Sequence, residues 1–198
     1  MMDFQRLDGS DAYLIQLQRH ADDRGDFTRT WCIDEFAQAG LAFNPVQANM
    51  SSTRLRGTVR GMHFQRPPGT EAKIVRCSRG RIWDVVIDLR PGSPHRNMAF
   101  GVELSGDGAL SLLVPAGFAH GYQTLTDDVT VDYLMDERFA PALADGCRYD
   151  DPAINITWPL AISCISEKDR GWPLLAERQD WPTADISASD DGRLPVDA

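Results

Sequence analysis

The sequence predicts an all-β sandwich or barrel, and two observations carry that expectation. Apolar and polar residues alternate with a period of two through the middle of the chain, and helical patterns are scarce. Lys73 to Cys77, Arg81 to Asp88, Ala99 to Leu104, Leu110 to Val114 and Val129 to Met135 each read as a strand, bounded by Gly, Pro, Asp or Ser. Asp34 to Gly40 reads as one short helix with an Asp cap and a Gly stop, and a second begins near Ser166. Neither is long enough to cover a parallel sheet, which disfavours an α/β fold. No repeat of fixed period and no linker interrupts the pattern, so residues 1–178 are expected to form a single domain. Residues 179–198 are polar and acidic and read as a loosely ordered tail.

At 198 residues and 42% hydrophobic, the chain can bury a sizeable core. A formal charge of -9 and a pI of about 4.8 argue against nucleic acid or an anionic membrane as partner, since both need a basic face. Cys32, Cys77, Cys147 and Cys164 are widely spaced with no CxxC, so reduced thiols are expected, not a zinc site or a disulfide framework. The N-terminus lacks an apolar signal core and no run reaches bilayer length, which predicts a cytoplasmic protein.

The segment from Arg60 to Lys73 gathers cations, a histidine and an acid around glycines, a mixture no packed core needs. A histidine takes a proton near neutral pH, a lysine holds a developing oxyanion, and an arginine suits a phosphate. Strict alternation over Thr58 to Gln65 puts His63 with Gly61 and Gln65 on one face, and Arg60 with Met62 on the other. A bulge at Gly61 would turn both Arg60 and His63 to one pocket. Pro115-Ala-Gly-Phe-Ala-His120-Gly follows an apolar strand and puts His120 at a strand start. Tyr133 shares a face with Val129, Val131 and Met135, which suits a barrel interior. Asp84 lies among Ile82 and Val86, and a buried Asp there needs a partner such as Lys73 or Arg60. Each has a plainer reading: His63 as an edge histidine satisfied by backbone, Tyr133 as core, and Asp169 as a charge in a capping turn.

The stretch Pro115 to Gly121 resembles the second motif of the cupin superfamily. The first cupin motif supplies two histidines and a glutamate to a metal, but here its His-x-His is His63-Phe-Gln65. A metal would keep at most His63, Glu71 and His120, and an amide is a poor ligand, so no metal is expected.

The chain is similar to the dTDP-4-dehydrorhamnose 3,5-epimerase family in Asp22-Asp-Arg24-Gly25-Asp-Phe27, Gln47-Ala-Asn49-Met-Ser51, Arg60 to Lys73, Asp84-Val-Val-Ile-Asp88-Leu-Arg90, Pro115 to Gly121, Tyr133, Trp158-Pro159 and Ser166-Glu-Lys168-Asp169. These run in order over nearly the whole chain. The resemblance implies a cupin-type double-stranded β-helix, or jelly roll, with a few short peripheral helices. It implies His63 as base, paired with Asp169, Tyr133 as acid across the sugar, and Lys73 at the enolate oxygen. By the same resemblance Arg24 and Arg60 meet the diphosphate, Phe27, Gln47 and Asn49 border the nucleotide, His120 and Lys168 contact substrate, and Asp84 supports them from behind. The substrate class is a nucleotide-linked 4-keto-6-deoxyhexose, with carbons 3 and/or 5 inverted and no cofactor. Family members pair by exchanging N-terminal strands, which implies a homodimer in which Phe27 or its neighbours reach the partner's site.

Four positions depart from the family pattern: Arg29 and Ala144 replace glutamates, Leu134 replaces a lysine, and Phe139 replaces a tyrosine. They are expected on the nucleotide side, and they leave open another nucleotide sugar or inversion at one carbon. Rival readings are a metal-dependent cupin oxygenase or isomerase using His63, Glu71 and His120, and a non-catalytic sugar-binding module.

Overall fold

Alternating apolar side chains turn most of the chain into short antiparallel strands. The computed structural model describes residues 1–178, so the acidic tail expected over 179–198 lies outside the described residues. The elements are β1 (Asp3–Arg6), β2 (Tyr13–Gln16), β3 (Arg19–Asp22), β4 (Gly25–Thr28), α1 (Ile33–Gln38), β5 (Gln47–Thr53), β6 (Val59–Gln65), β7 (Lys73–Arg79), β8 (Arg81–Asp88), β9 (Ala99–Ser105), β10 (Leu110–Val114), β11 (Phe118–Thr124), β12 (Val129–Met135), β13 (Ala144–Gly146) and α2 (Glu167–Arg170), with a 3-10 turn at Leu175–Glu177.

A six-stranded sheet runs β1-β2-β10-β7-β12-β5 and a five-stranded sheet runs β13-β6-β11-β8-β9. Every pairing between these strands is antiparallel, and neighbours distant in sequence cross between the sheets, as a jelly roll requires. The β3-β4 hairpin stands apart as its own two-stranded sheet. The inner faces meet in a core of Val75, Leu112, Val129 and Val131 against Ile82, Val86, Leu104 and Phe118. Full burial of such side chains contributes about 1.5–3 kcal/mol each.

Both outer faces are also covered in part. Met62, Phe64, Val85 and Ile87 on the back of the five-stranded sheet pack beneath Ile154 and Trp158. Ile74 and Leu113 on the back of the other pack beneath Phe36 of α1 and Phe43. The expected Asp cap is corrected here: Cys32 occupies the N-cap position with no side-chain hydrogen bond, and Asp34 lies in the first turn of α1. Gly40, at φ 72°, does follow the helix end as its stop. The second helix behaves as its sequence predicts, since the Ser166 hydroxyl accepts from the Asp169 amide at 3.0 Å.

Candidate active site

The bulge at Gly61 brings Arg60 and His63 to the same cavity. On β11 one residue separates His120 from Tyr122, while two separate their partners His63 and Arg60 on β6. The strands approach so closely there that a side chain has no room. A Cβ on Gly61 would lie 2.5 Å from the Gly121 Cα, and Gly61 sits at φ 130°.

The cavity thus formed lies between the sheets and measures about 730 Å³. Gln47, Asn49, Lys73 and Tyr133 reach it from the six-stranded sheet, while Arg60, His63 and His120 reach it from the five-stranded sheet. Lys168 and Asp169 close one side from α2.

His63 Nε2 lies 2.6 Å from Asp169 Oδ1, and Asp169 Oδ2 accepts from the Gly61 amide at 3.3 Å. Burial alone would raise the Asp169 carboxyl, but the hydrogen bond and charge of His63, then the Gly61 amide, outweigh it and hold the group below its usual range. An ionised carboxylate only accepts, so Nε2 carries the hydrogen, and in the neutral ring Nδ1 then holds the lone pair of a base. The His63 side chain is 46% exposed, open to a ligand in the cavity.

On the facing sheet, burial lifts the Tyr133 hydroxyl well above its ordinary range and keeps it protonated, although a hydrogen bond with Ser51 acts the other way. Lys73, 4% exposed, is held by Glu71 at 2.7 Å. An imidazole and a protonated phenol therefore sit on opposite walls, with the Lys73 side chain on the phenol's side.

Asp84 has a partner other than the two expected. It pairs with His120, Nε2 to Oδ1 at 2.7 Å, while Lys73 is taken by Glu71 and Arg60 by Thr53 and the Ser52 carbonyl. The alternation that put Asp84 inside also puts His120 inside. His120 is the third residue of β11 and not its first, and its ring meets that of Tyr133 edge to face at 6.2 Å. Lys168 lies over the Trp172 ring at 5.4 Å. Gln47 donates to Asn49 at 3.3 Å and accepts from the Phe139 amide at 3.1 Å.

Arg24 and Phe27 do not join this cavity within one chain. Both lie on the β3-β4 hairpin, where Arg24 pairs with Asp22 and Phe27 is 70% exposed. Of the four departures from the family pattern, Ala144 and Phe139 line the cavity. Leu134 points outward from β12, and Arg29 pairs with Glu35 at 2.8 Å beside α1.

His63, Glu71 and His120 each hold a partner, and Gln65 ties down two loops, donating to the Gly69 and Arg138 carbonyls and accepting from the Ala140 amide. Among the described residues no three His, Cys, Asp or Glu side chains group as a metal site. Sequence reasoning passed over Glu71 as the partner of Lys73, and also Ser51, Thr53 and Tyr122 around Tyr133. Inward alternation on β5 was the available signal for Ser51 and Thr53.

Comparison with known proteins agrees with this architecture. The model of the dTDP-4-dehydrorhamnose 3,5-epimerase family matches residues 6–177. A dTDP-4-dehydrorhamnose 3,5-epimerase of Sinorhizobium fredii is 40% identical over 181 residues, 89% of this chain and 91% of the relative. A dTDP-4-dehydrorhamnose 3-epimerase of Streptomyces niveus is 37% identical over 167 residues, 84% of this chain and 80% of the relative. The crystal structure of a dTDP-4-dehydrorhamnose 3,5-epimerase from Bacillus anthracis, with TDP and PPi bound, superposes with a TM-score of 0.85 at 36% identity, covering 88% of this chain and 100% of that one. With its jelly roll and a family match spanning nearly all described residues, the chain belongs to the dTDP-4-dehydrorhamnose 3,5-epimerase family of isomerases.

Proposed function

We propose that this protein inverts carbons 3 and 5 of dTDP-4-dehydro-6-deoxyglucose, giving dTDP-4-dehydrorhamnose through enolate intermediates and without a cofactor. The observation that carries this reading is the placement of His63 and Tyr133 on facing sheets of one cavity. The 4-keto group acidifies the hydrogens on its two neighbouring carbons. His63 takes one of them as base while Asp169 balances the imidazolium that forms. Tyr133 then returns a proton from the opposite face, so the carbon inverts. Each such positioned group contributes about 10²- to 10⁴-fold in rate. Lys73 meets the oxygen of the enolate, a contact worth roughly 3 kcal/mol in related oxyanion sites.

Arg60 is assigned to the diphosphate and Gln47, Asn49 and Lys168 to the rest of the nucleotide sugar, with His120 and Asp84 backing the sugar. Arg24 and Phe27, exposed on their hairpin, would complete the site of a partner subunit in a homodimer. Residues 1–178 act as one domain. The protein works in the cytoplasm, without nucleic acid or membrane; no helix among the described residues is long and apolar enough to cross a membrane.

The test is incubation with dTDP-4-keto-6-deoxyglucose in heavy water, following deuterium at carbons 3 and 5 by NMR beside a His63→Ala control. Uptake with inversion at both carbons, abolished in the control, is the expected result. Uptake at carbon 3 alone would favour a mono-epimerase, a second reading supported by the 37% identity to a 3-epimerase and by Phe139 and Ala144 in the cavity wall. No exchange at either carbon would reject both.

A further inference from the structure

Behind Tyr133 a line of hydroxyls runs through the barrel wall and ends on a cation. Ser51 Oγ lies 3.3 Å from the Tyr133 hydroxyl and 2.9 Å from that of Tyr122. The Tyr122 hydroxyl lies 3.3 Å from Thr53 Oγ1, which accepts from Arg60 Nε at 2.9 Å. The strand order builds the line. Ser51 and Thr53 alternate inward on β5 beside β12, and Tyr122 on β11 sits opposite Arg60 on β6. Tyr122 is 1% exposed and Thr53 5%, so the middle of the line is shielded from bulk water.

A hydroxyl donates and accepts, so contacts between hydroxyls alone have no fixed direction. A guanidinium only donates. With Thr53 accepting from Arg60, its own proton is available to Tyr122; in the proposed arrangement Tyr122 then donates to Ser51 and Ser51 to Tyr133. With its oxygen already receiving a hydrogen bond, Tyr133 has its own proton left to aim into the cavity. We propose that Ser51, Thr53 and Tyr122 are positioning residues, a polarised hydroxyl chain from Arg60 that orients Tyr133 as proton donor and steadies the phenolate it becomes.

This inference rests on the epimerase reading. As the new C–H bond forms, the Tyr133 O–H bond breaks, and the charge left on oxygen is met by the Ser51 hydroxyl. No proton leaves Arg60, and the phenolate regains its proton from water when product departs. Hydrogen bonds in such chains strengthen one another. The Ser51 hydrogen bond pulls the Tyr133 hydroxyl downward, against the upward pull of burial and of Tyr122, which is the sign this role requires of Ser51.

The test compares Tyr122→Phe, Thr53→Val and Thr53→Ser with the unaltered protein in heavy water, reading exchange, inversion and the pH profile of kcat. Losing one link lowers the rate of inversion about three- to tenfold, the worth of one hydrogen bond. His63 still removes the proton and returns deuterium to the same face, so the ratio of exchange to inversion rises. The basic limb of the profile moves to higher pH, because Tyr133 without its donor holds its proton more tightly. Thr53→Ser, which keeps the hydroxyl, restores ratio and limb. Exchange and inversion falling in parallel with the limb unmoved, a change confined to KM, or no change at all would overturn the chain. Absence of exchange in the unaltered protein would instead overturn the epimerase reading, and this inference with it.

Discussion

Lys73 and Glu71 form an ion pair of 2.7 Å whose side chains are only 6% and 7% exposed, at the start of the strand that faces the His63 wall. A pair this deep is held by its own geometry and not by solvent. Removing either member alone leaves the other charged and buried, at a cost of about 3–5 kcal/mol, whereas replacing both with apolar groups is often neutral or stabilising.

Lys73→Met should therefore lose both stability and activity, and Lys73→Met with Glu71→Leu should recover only the first. The single variant is expected to melt markedly lower and the double variant near the parent. Both should lose about 10²- to 10³-fold in kcat, the usual cost of an oxyanion contact. Melting curves and kcat on the same preparations check this. A double variant that regained activity would remove Lys73 from the chemistry.

Acid should destabilise the fold through three buried carboxylates. Burial pushes Asp88, Asp145 and Asp169 upward, but hydrogen bonds from Arg90 and Ser93, from Arg178, Gly146 and Arg66, and from His63 respectively bring each below its ordinary value of 3.8. A carboxyl lowered in the folded state contributes stability that is complete above its unfolded value and lost as pH falls through the folded one. The melting temperature is expected to hold from pH 7 to about 5 and to drop steadily below about 4. Asp88→Asn should flatten that drop while lowering the neutral plateau, which calorimetry across pH measures. A curve unchanged in shape would show that these groups do not set the acid limit.

Strand positions were legible because apolar, β-branched runs end at Gly, Pro, Asp or Ser, and β8, β10 and β12 fall where those runs put them. Glycine chemistry was legible at Gly61, since only a bulge reconciles Arg60 with His63 on one side. The β3-β4 hairpin was not, because its residues are mostly exposed and carry no apolar alternation. Partners of buried charges were the harder part of the site. Asp84 shows in sequence only that it needs a partner, and the choice of His120 over Lys73 depends on a cross-strand diagonal between β8 and β11. Glu71 was equally silent, as it precedes its strand and has no periodic face.

The hairpin makes its own prediction. Phe27 at 70% exposure and Arg24 in a solvated turn contribute little to folding, so Arg24→Ala with Phe27→Ala should change stability by less than about 0.5 kcal/mol. If they complete a partner's site, KM rises about tenfold with kcat nearly unchanged, the pattern of lost uniform binding. Light scattering should give a dimer. A monomer, or an unmoved KM, would leave the hairpin outside the site.

Asp169→Asn separates the carboxylate's charge from its place in the fold. The asparagine has one oxygen where Asp169 uses two, one toward His63 and one toward the Gly61 amide, so one of those donors loses its acceptor at about 1–3 kcal/mol. The backbone capping bond to Ser166 is untouched, and α2 should stay in place. Activity should fall much further, by about 10²-fold or more in kcat, because the imidazolium formed on proton abstraction loses its counter-charge. Ser166→Ala supplies the contrast. It removes a cap worth about 1 kcal/mol and keeps the carboxylate, so stability falls by a similar amount while kcat falls little. Measured together, equal losses of kcat in the two variants would mean that Asp169 acts by holding α2 against β6, and unequal losses that its charge serves His63.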